Sequence, residues 1–159
     1  MSNPNRGKDF ELRVKQAFEK LRDVSVDRLH DQTTGYLGSS NICDFIVYKE
    51  PNQYYIECKC HYGNTLPFTS ITDKQWSGLL EKSEIKGVVA GVVIWFIDHD
   101  TTIFVPIQTL EELRKKGKKS VNIKDVLADN ETYFYIDGIK KRTFFDYDMH
   151  NFLMTYGGF

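Results

Sequence analysis

An aspartate and a glutamate–lysine pair carry the chemistry that this sequence offers. Asp44 stands at the start of one apolar run, and Glu57 and Lys59 lie in the next such run, with Glu57 thirteen positions after Asp44. Because side chains alternate along a β-strand, Glu57 and Lys59 are expected on one face and Cys58 on the other. If the two apolar runs pair as strands and Asp44 lies on the same face as Glu57, the two carboxylates come together beside Lys59.

Such a trio has a use in phosphodiester hydrolysis. Carboxylate oxygens are the hard ligands that magnesium and manganese prefer, and the backbone carbonyl of Cys58 is placed to add to the shell. A bound ion lowers the pKa of a water and polarises a phosphoryl oxygen, while a lysine orients or deprotonates that water. The plain alternative is that Glu57 and Lys59 form a solvent-facing ion pair worth little free energy.

The elements that must position these residues predict a mixed α/β domain. Apolar residues at helical spacing between positions 8 and 22 predict an amphipathic first helix, with Glu11 beside its buried stripe. Further helices are predicted from an N-cap at Thr72 to about Lys82, and from an N-cap at Thr109 to Gly117. Strands are predicted at 24–29, 42–48, 54–60, 88–97, 101–108, 133–136 and 139–144.

Turn signals connect several of these runs. Residues 49–53 (KEPNQ) favour a turn that pairs the second and third strands as a hairpin, and 61–70 is expected to be a loop. Asp137-Gly138 predicts a two-residue hairpin turn between the last two strands. Residues 31–41 have the composition of a polar loop.

Length and composition fit one domain spanning residues 1–159. The chain has 41 % hydrophobic and 14 % aromatic residues, which is enough for a core. No apolar stretch is long enough to span a bilayer and the first residues do not resemble a signal peptide, so a cytoplasmic protein without a membrane partner is expected. Three cysteines, at positions 43, 58 and 60, are an odd number and are expected to be reduced.

Charge alone does not predict a nucleic-acid partner, because the net charge is −1. Positive residues are nevertheless grouped at 114–119 (RKKGKK) and at Lys140, Lys141 and Arg142. These groups are able to hold phosphates. They are equally typical of solvated lysines at a helix end and on a hairpin.

The spacing of Asp44 and Glu57-x-Lys59 resembles the PD-(D/E)xK nuclease signature, and the chain most resembles RecU-type Holliday junction resolvases. Residues 7–11 (GKDFE) resemble the glycine-to-glutamate start of the first helix in those enzymes, where the glutamate completes an acidic cluster. Residues 65–68 (TLPF), followed by Gln75, resemble the family's segment that leads to a glutamine on the next helix. The resemblance covers roughly residues 7–97.

Two departures from the pattern are visible. Cys43 stands where the signature has proline. RecU-type enzymes also carry a longer basic stalk before the catalytic aspartate. In this chain the corresponding segment, residues 29–43, is short and nearly uncharged. The shorter form looks closer to archaeal Holliday junction resolvases, whose equivalent loop carries a serine near the metal, and Ser39 and Ser40 are the candidates for such a phosphate contact.

The resemblance implies a restriction-endonuclease-like fold, with a central mixed β-sheet flanked by helices. It implies an endodeoxyribonuclease, of host or phage, that resolves four-way junctions by symmetric phosphodiester hydrolysis in DNA recombination or repair. Mg²⁺ or Mn²⁺ is the implied cofactor, and branched DNA and a second copy of the chain are the implied partners. Apolar residues within 94–105 and 144–159 are candidate material for the homodimer interface.

The resemblance also implies roles for individual residues. Glu11, Asp44 and Glu57 would bind the metal, Lys59 would act on the nucleophile, and Gln75 would assist by positioning a phosphate or water. The expected DNA contacts are Ser39, Ser40, Lys140, Lys141 and Arg142. Three alternatives stay open: another structure-directed or restriction-type nuclease, a non-catalytic DNA-binding module on the same fold, and a protein that regulates a partner.

Overall fold

The computed structural model describes residues 5–29, 41–129 and 132–156. The α-helices are α1 (Arg6–Glu19), α2 (Asp73–Ser83), α3 (Ile107–Lys115), α4 (Ile123–Ala128) and α5 (Met149–Tyr156). The strands are β1 (Ser25–Arg28), β2 (Phe45–Lys49), β3 (Asn52–His61), β4 (Thr65–Pro67), β5 (Val88–Phe96), β6 (Thr101–Pro106), β7 (Ser120–Asn122), β8 (Phe134–Tyr135), β9 (Gly138–Lys140) and β10 (Phe145–Tyr147). Short 3₁₀ turns span Phe68–Ser70 and Ile97–His99.

A six-stranded mixed sheet forms the centre of the fold. Its strand order is β1-β2-β3-β5-β6-β8, and within it β3 and β5 pair in parallel while the other neighbours are antiparallel. Two small two-stranded sheets, β4 with β7 and β9 with β10, lie outside it. The predicted α/β class, with a central mixed sheet flanked by helices, is confirmed.

Two hydrophobic clusters cover the two faces of this sheet. Along β5, Val92 and Ile94 belong to the cluster that contains residues of α2, α3 and α4, while Val93 and Trp95 belong to the cluster that contains residues of α1 and α5. All four side chains are at most 1 % exposed. A central strand buried on both faces reads as a continuous apolar run, as residues 88–97 do.

Most predicted elements are present with shifted ends. Helices α1 and α2 and strands β1, β2, β3, β5 and β6 lie where the sequence pattern indicates them. The segment 61–70 is only partly a loop, because β4 lies within it and pairs with β7. The polar segment 31–41 lies, apart from residue 41, outside the described residues.

The predicted N-cap at Thr109 is wrong. Helix α3 begins at Ile107, directly after Pro106 at the end of β6, so Thr109 already lies in the first helical turn. Ile107 and Leu110 are fully buried against the sheet. Burial of these two side chains makes the helix start three residues earlier than the capping signal indicates, because packing outweighs a local cap.

The predicted hairpin turn at Asp137-Gly138 is also wrong. Strand β8, before this dipeptide, pairs with β6 of the main sheet, whereas β9, after it, pairs with β10. The hairpin turn is instead formed by the four residues 141–144. Glycine at 138 fits a close approach, because a Cβ there would lie 3.0 Å from the carbonyl oxygen of Asp146.

The described apolar residues within 94–105 and 144–159, the candidates for a dimer interface, mostly pack inside the chain itself. In α5, the Phe152 ring lies within 6 Å, centroid to centroid, of the rings of Phe18, Tyr54, Phe104, Phe134 and Tyr156. The side chains of β5 and β6 between Ile94 and Val105 are likewise mostly buried in the two clusters. These apolar residues therefore give no separate reason to expect a dimer. Within the described part of the chain, no helix is both long enough and apolar enough to cross a membrane.

The close packing of β5 on β6 generates a first prediction. A Cβ at Gly91 would lie 2.5 Å from the Val105 carbonyl oxygen and 2.6 Å from the Phe104 ring, both in the packed interior. Gly91→Ala should therefore lower the free energy of unfolding by about 1–3 kcal/mol. Gly7→Ala is the control, because a Cβ there meets no atom within 4 Å and alanine favours the helix. Urea unfolding of both variants checks this, and equal midpoints would contradict the packing argument.

Candidate active site

The register of β2 on β3 brings Asp44 and Glu57 together. Phe45 pairs with Ile56, and the Asp44 N–H continues the ladder by donating to the Ile56 carbonyl at 3.0 Å. Asp44 therefore faces Glu57 directly across the strand pair, and the charge of Glu57 acts on the Asp44 carboxyl group. The Cys58 N–H donates to Asp44 Oδ2 at 2.7 Å and fixes the orientation of that carboxyl group.

Glu57 and Lys59 share one face of β3, as strand alternation predicts. Lys59 Nζ lies 3.0 Å from Glu57 Oε2, and the Glu57 side chain is 4 % exposed. The Lys59 side chain is itself only 22 % exposed. The pair is therefore not the solvent-facing ion pair that the sequence left open as an alternative.

Gln75 connects this cluster to the start of α2. Its Nε2 donates to Glu57 Oε2 at 3.0 Å, and its Oε1 accepts from the Thr72 N–H at 3.0 Å. Thr72 in turn caps the helix by accepting from the Gln75 N–H, so the two residues form a capping box. The expected glutamine is thus beside the acidic cluster, but its contact in this structure is the Glu57 carboxylate and its assistance to a water or phosphate stays a prediction.

Glu11 reaches the same cluster from α1. It is 9 % exposed, and its charge acts on the carboxyl groups of Asp44 and Glu57. Its Oε1 accepts from Arg28 Nε at 2.7 Å. The predicted catalytic acids and the lysine therefore gather in one place, together with Arg28, which the sequence analysis missed because one arginine on a short strand carries no distinctive signal.

Burial and mutual repulsion raise the pKa values of the two central acids. The pKa of Asp44 rises from 3.8 to about 8, first because of burial and second because of the charge of Glu57, against the opposing Cys58 N–H. The pKa of Glu57 also rises, chiefly through burial, and Lys59 opposes that rise. Glu57 Oε1 is buried without a hydrogen-bond partner in the structure. Two facing acids with a buried free oxygen form an environment that a cation would stabilise.

The donor set fits magnesium better than a metal that needs an all-protein cage. Within residues 5–29, 41–129 and 132–156, no three His, Cys, Asp or Glu side chains are arranged to hold an ion by themselves. Magnesium is usually held by one or two carboxylates, with waters and substrate phosphates in its other positions. Asp44 and Glu57 supply such a pair, and the Cys58 carbonyl and Glu11 stay predicted additions.

The global fold is also found in a protein of known structure. Hjc of Archaeoglobus fulgidus, a Holliday junction resolvase from an archaeal hyperthermophile, matches with a TM-score of 0.50 over 82 % of this chain and 88 % of that one. This chain has the fold of an archaeal resolvase. The sequences are 20 % identical, so the likeness concerns the fold alone. No protein-family model and no curated protein matches the sequence.

The match bears on both resolvase types that the sequence resembles. The matched protein, Hjc, is an archaeal resolvase, which agrees with the short segment before Asp44. The match gives no support to the RecU type or to a phage origin. The expected nuclease fold is confirmed at this level.

The predicted DNA contacts have different surroundings. Lys140 Nζ lies 2.9 Å from Asp100 Oδ2, so its charge is partly offset. Lys141 and Arg142 are exposed in the hairpin turn between β9 and β10. Ser39 and Ser40 lie outside the described residues, and their predicted contact with phosphate is untested.

The three cysteines are free, as predicted. Burial, with the nearby charges of Glu57 and Asp44, raises the pKa of the Cys43 thiol to about 12. The pKa of Cys58 is raised well above its ordinary value by the same two causes. These thiols are therefore neutral packing groups and poor candidates for nucleophiles.

Repulsion at the cluster generates a second prediction. Asp44→Asn should stabilise the metal-free protein at pH 8 by at least about 1 kcal/mol, because an amide has no charge to bury beside Glu57. The unfolded Asp44 carboxyl ionises near pH 4 and the folded one near pH 8, so wild-type stability falls as the pH rises through this window. The gain should accordingly be larger at pH 8 than at pH 5.

Urea unfolding in EDTA at the two pH values measures this gain. Asp27→Asn, at an exposed aspartate of β1, is the matched control and should change the midpoint little. A destabilised Asp44→Asn protein would show that the two acids do not oppose each other in the folded state.

Proposed function

We propose that this chain is a metal-dependent endodeoxyribonuclease that resolves four-way DNA junctions by symmetric phosphodiester hydrolysis. The observation that carries the proposal is the pair of facing buried acids, Asp44 and Glu57, with a lysine ammonium 3.0 Å from the second. This arrangement lies on the fold of Hjc, which is a Holliday junction resolvase. Mg²⁺ or Mn²⁺ is the proposed cofactor, held by Asp44, Glu57 and Glu11 with the Cys58 carbonyl.

Each residue would have a distinct part in hydrolysis. The bound ion would lower the pKa of a water and neutralise charge on a phosphoryl oxygen. Lys59 Nζ would orient the attacking water or accept its proton, and its ammonium form would offset charge that develops on the phosphate. The Cys58 N–H and the Gln75 amide would hold Asp44 and Glu57 in position, so that neither carboxylate has to reorganise during the reaction.

Two symmetric cuts in a four-way junction need two active sites. The chain contributes one acidic cluster among its described residues, so the proposal includes a homodimer related by a two-fold axis. Recognition would rest on the positions of phosphates and on the shape of the branched DNA. A rival within the same chemistry is a nuclease specific for another DNA structure or for a duplex sequence, which the choice of substrates separates.

Cleavage assays provide the third prediction. With Mg²⁺ or Mn²⁺ the protein should make paired symmetric cuts in a synthetic four-way junction and leave a linear duplex of the same sequence intact. EDTA should abolish cutting. Asp44→Asn should reduce the rate at least about 100-fold, because it removes a metal-binding charge, while Asp27→Asn should retain activity. Denaturing gels of strand-labelled junctions measure the rate and the symmetry.

The possible outcomes separate the alternatives. Cutting of all substrates would keep the nuclease chemistry and reject junction specificity. Tight junction binding without any cutting, in either metal, would favour the non-catalytic module. Full activity of Asp44→Asn would reject the site.

Gln75 provides the fourth prediction, because it holds the Glu57 carboxylate. Gln75→Ala should lower the cleavage rate about 10–100-fold, as expected for a residue that orients a metal ligand. Junction affinity in EDTA should be unchanged, since Gln75 contacts Glu57 and the start of α2. Gln108→Ala, at an exposed position of α3, is the control. Equal loss of affinity and rate would instead assign Gln75 to DNA binding.

A further inference from the structure

A groove lies between α1 and the hairpin of β9 and β10, on the other side of α1 from the acidic cluster. Its volume is ≈ 570 Å³, and it opens to solvent. We call it the hairpin groove. The lining residues that matter for its chemistry are Arg13, Lys20, Lys141, Arg142, Phe144 and Asp146.

The hairpin groove is strongly positive in a chain whose net charge is −1. Four cationic side chains line it and Asp146 is its one acid, so its formal charge is +3. Lys20 forms an ion pair with Asp146. Among the described residues, Arg13, Lys141 and Arg142 make no salt bridge with any carboxylate. The Lys20 ammonium is the chief cause that lowers the pKa of the Asp146 carboxyl group, and the charge of Lys141 adds to that effect. Arg13 and Arg142 are therefore the two cations whose charge is least offset.

The geometry of the groove is held by the backbone and by an aromatic ring. The Lys141 N–H donates to the Phe144 carbonyl at 2.9 Å and closes the hairpin turn. The Arg13 guanidinium lies over the Phe144 ring, 5.6 Å from its centroid. This contact orients a planar group of donors that matches the oxygen geometry of a phosphate.

The second basic group of the sequence, residues 114–119, does not form a comparable site. Arg114 is bound to Glu111 at 2.6 Å and stacked on Trp76, and Lys118 lies 4.0 Å from Asp125. Lys115 and Lys116 form no salt bridge among the described residues, but Lys116 and Lys118 line a concavity that also contains the acids Glu112, Asp125 and Asp129. The group therefore serves as an internal comparison for the hairpin groove.

Helix α1 links the groove to the acidic cluster. Arg13 follows Glu11 by two residues, which at about 100° per residue turns it to the far side of the helix. Glu11 faces Asp44 and Glu57, and Arg13 faces the hairpin.

We propose that the hairpin groove, which adds Arg13 and Lys20 to the predicted DNA contacts Lys141 and Arg142, binds the phosphodiester backbone of DNA as a second contact beyond the phosphate that is cut. The chemistry of the groove fits a phosphate, because it offers two guanidinium and two ammonium groups and only one acid. The link to the substrate of the acidic cluster rests on the proposed function. Contacts of this kind set affinity and orientation without reading bases.

Salt-dependent binding provides the fifth prediction. In an Asp44→Asn background, K141Q/R142Q should weaken binding of a fluorescent four-way junction. The slope of log affinity against log salt should fall by about 0.9 for each DNA phosphate that the variant no longer neutralises. K115Q/K116Q removes the same charge from exposed positions of the 114–119 group and should change the slope less. Fluorescence anisotropy in EDTA at several salt concentrations measures affinity and slope.

A variant that should strengthen DNA binding serves as a further control, because general damage to the fold would not strengthen binding. Asp146→Asn removes the one acid of the groove and releases Lys20. It should tighten binding severalfold and steepen the salt slope, which a merely structural role of the hairpin would not produce. Equal effects of K141Q/R142Q and K115Q/K116Q, or no gain from Asp146→Asn, would overturn the proposal.

The binding experiment tests the groove proposal independently of the cleavage assay. If wild-type protein cuts junctions but the groove variants bind like wild type, the groove proposal fails and the nuclease proposal stands. If the groove variants behave as expected and wild-type protein cuts no DNA with either metal, the groove proposal stands and the nuclease proposal fails.

Discussion

The rest of the active site depends on two carboxyl groups that face each other where β2 meets β3. Backbone hydrogen bonds set the register that places Asp44 opposite Glu57, and burial keeps water from screening their charges. The neighbouring groups are those that such a pair requires: an N–H donor on Asp44, and an ammonium and an amide on Glu57. The free Glu57 oxygen leaves one position that these groups do not satisfy.

An arrangement of this kind costs folding free energy, and the aromatic packing of the sheet offsets that cost. On one face of the sheet, the ring of Phe10 in α1 contacts Trp95 and that of Phe18 contacts Phe45. Phe152 of α5 contacts Tyr54 and Phe104. The same helix that is anchored by Phe10 carries Glu11 to the acids. Packing of α1 therefore positions a charged residue that would not remain at a buried site without it.

Charge is organised by the same scaffold. The net charge of the chain is −1, yet the hairpin separates its three consecutive cations, with Lys140 bound to Asp100 and the next two residues at the groove. Helix α1 contributes Glu11 to the acidic cluster and Arg13 to the groove. A polyanion held at the groove would thus extend toward the acidic cluster without the basic groove facing that cluster's carboxylates directly.

The sequence by itself determined the features that are local in the chain. Strand alternation put Glu57 and Lys59 on one face, helical spacing put Glu11 at the edge of a buried stripe, and the capping pattern placed the start of α2 at Thr72, because each depends on neighbours a few residues away. Tertiary structure alone decided what depends on distant partners. The Asp137-Gly138 signal did not make a hairpin because β6 took β8 as its neighbour, and the start of α3 followed burial instead of its cap. The Arg28 contact with Glu11, the α1 face of the groove and the raised pKa of Asp44 likewise depend on residues far apart in sequence, which no local pattern encodes.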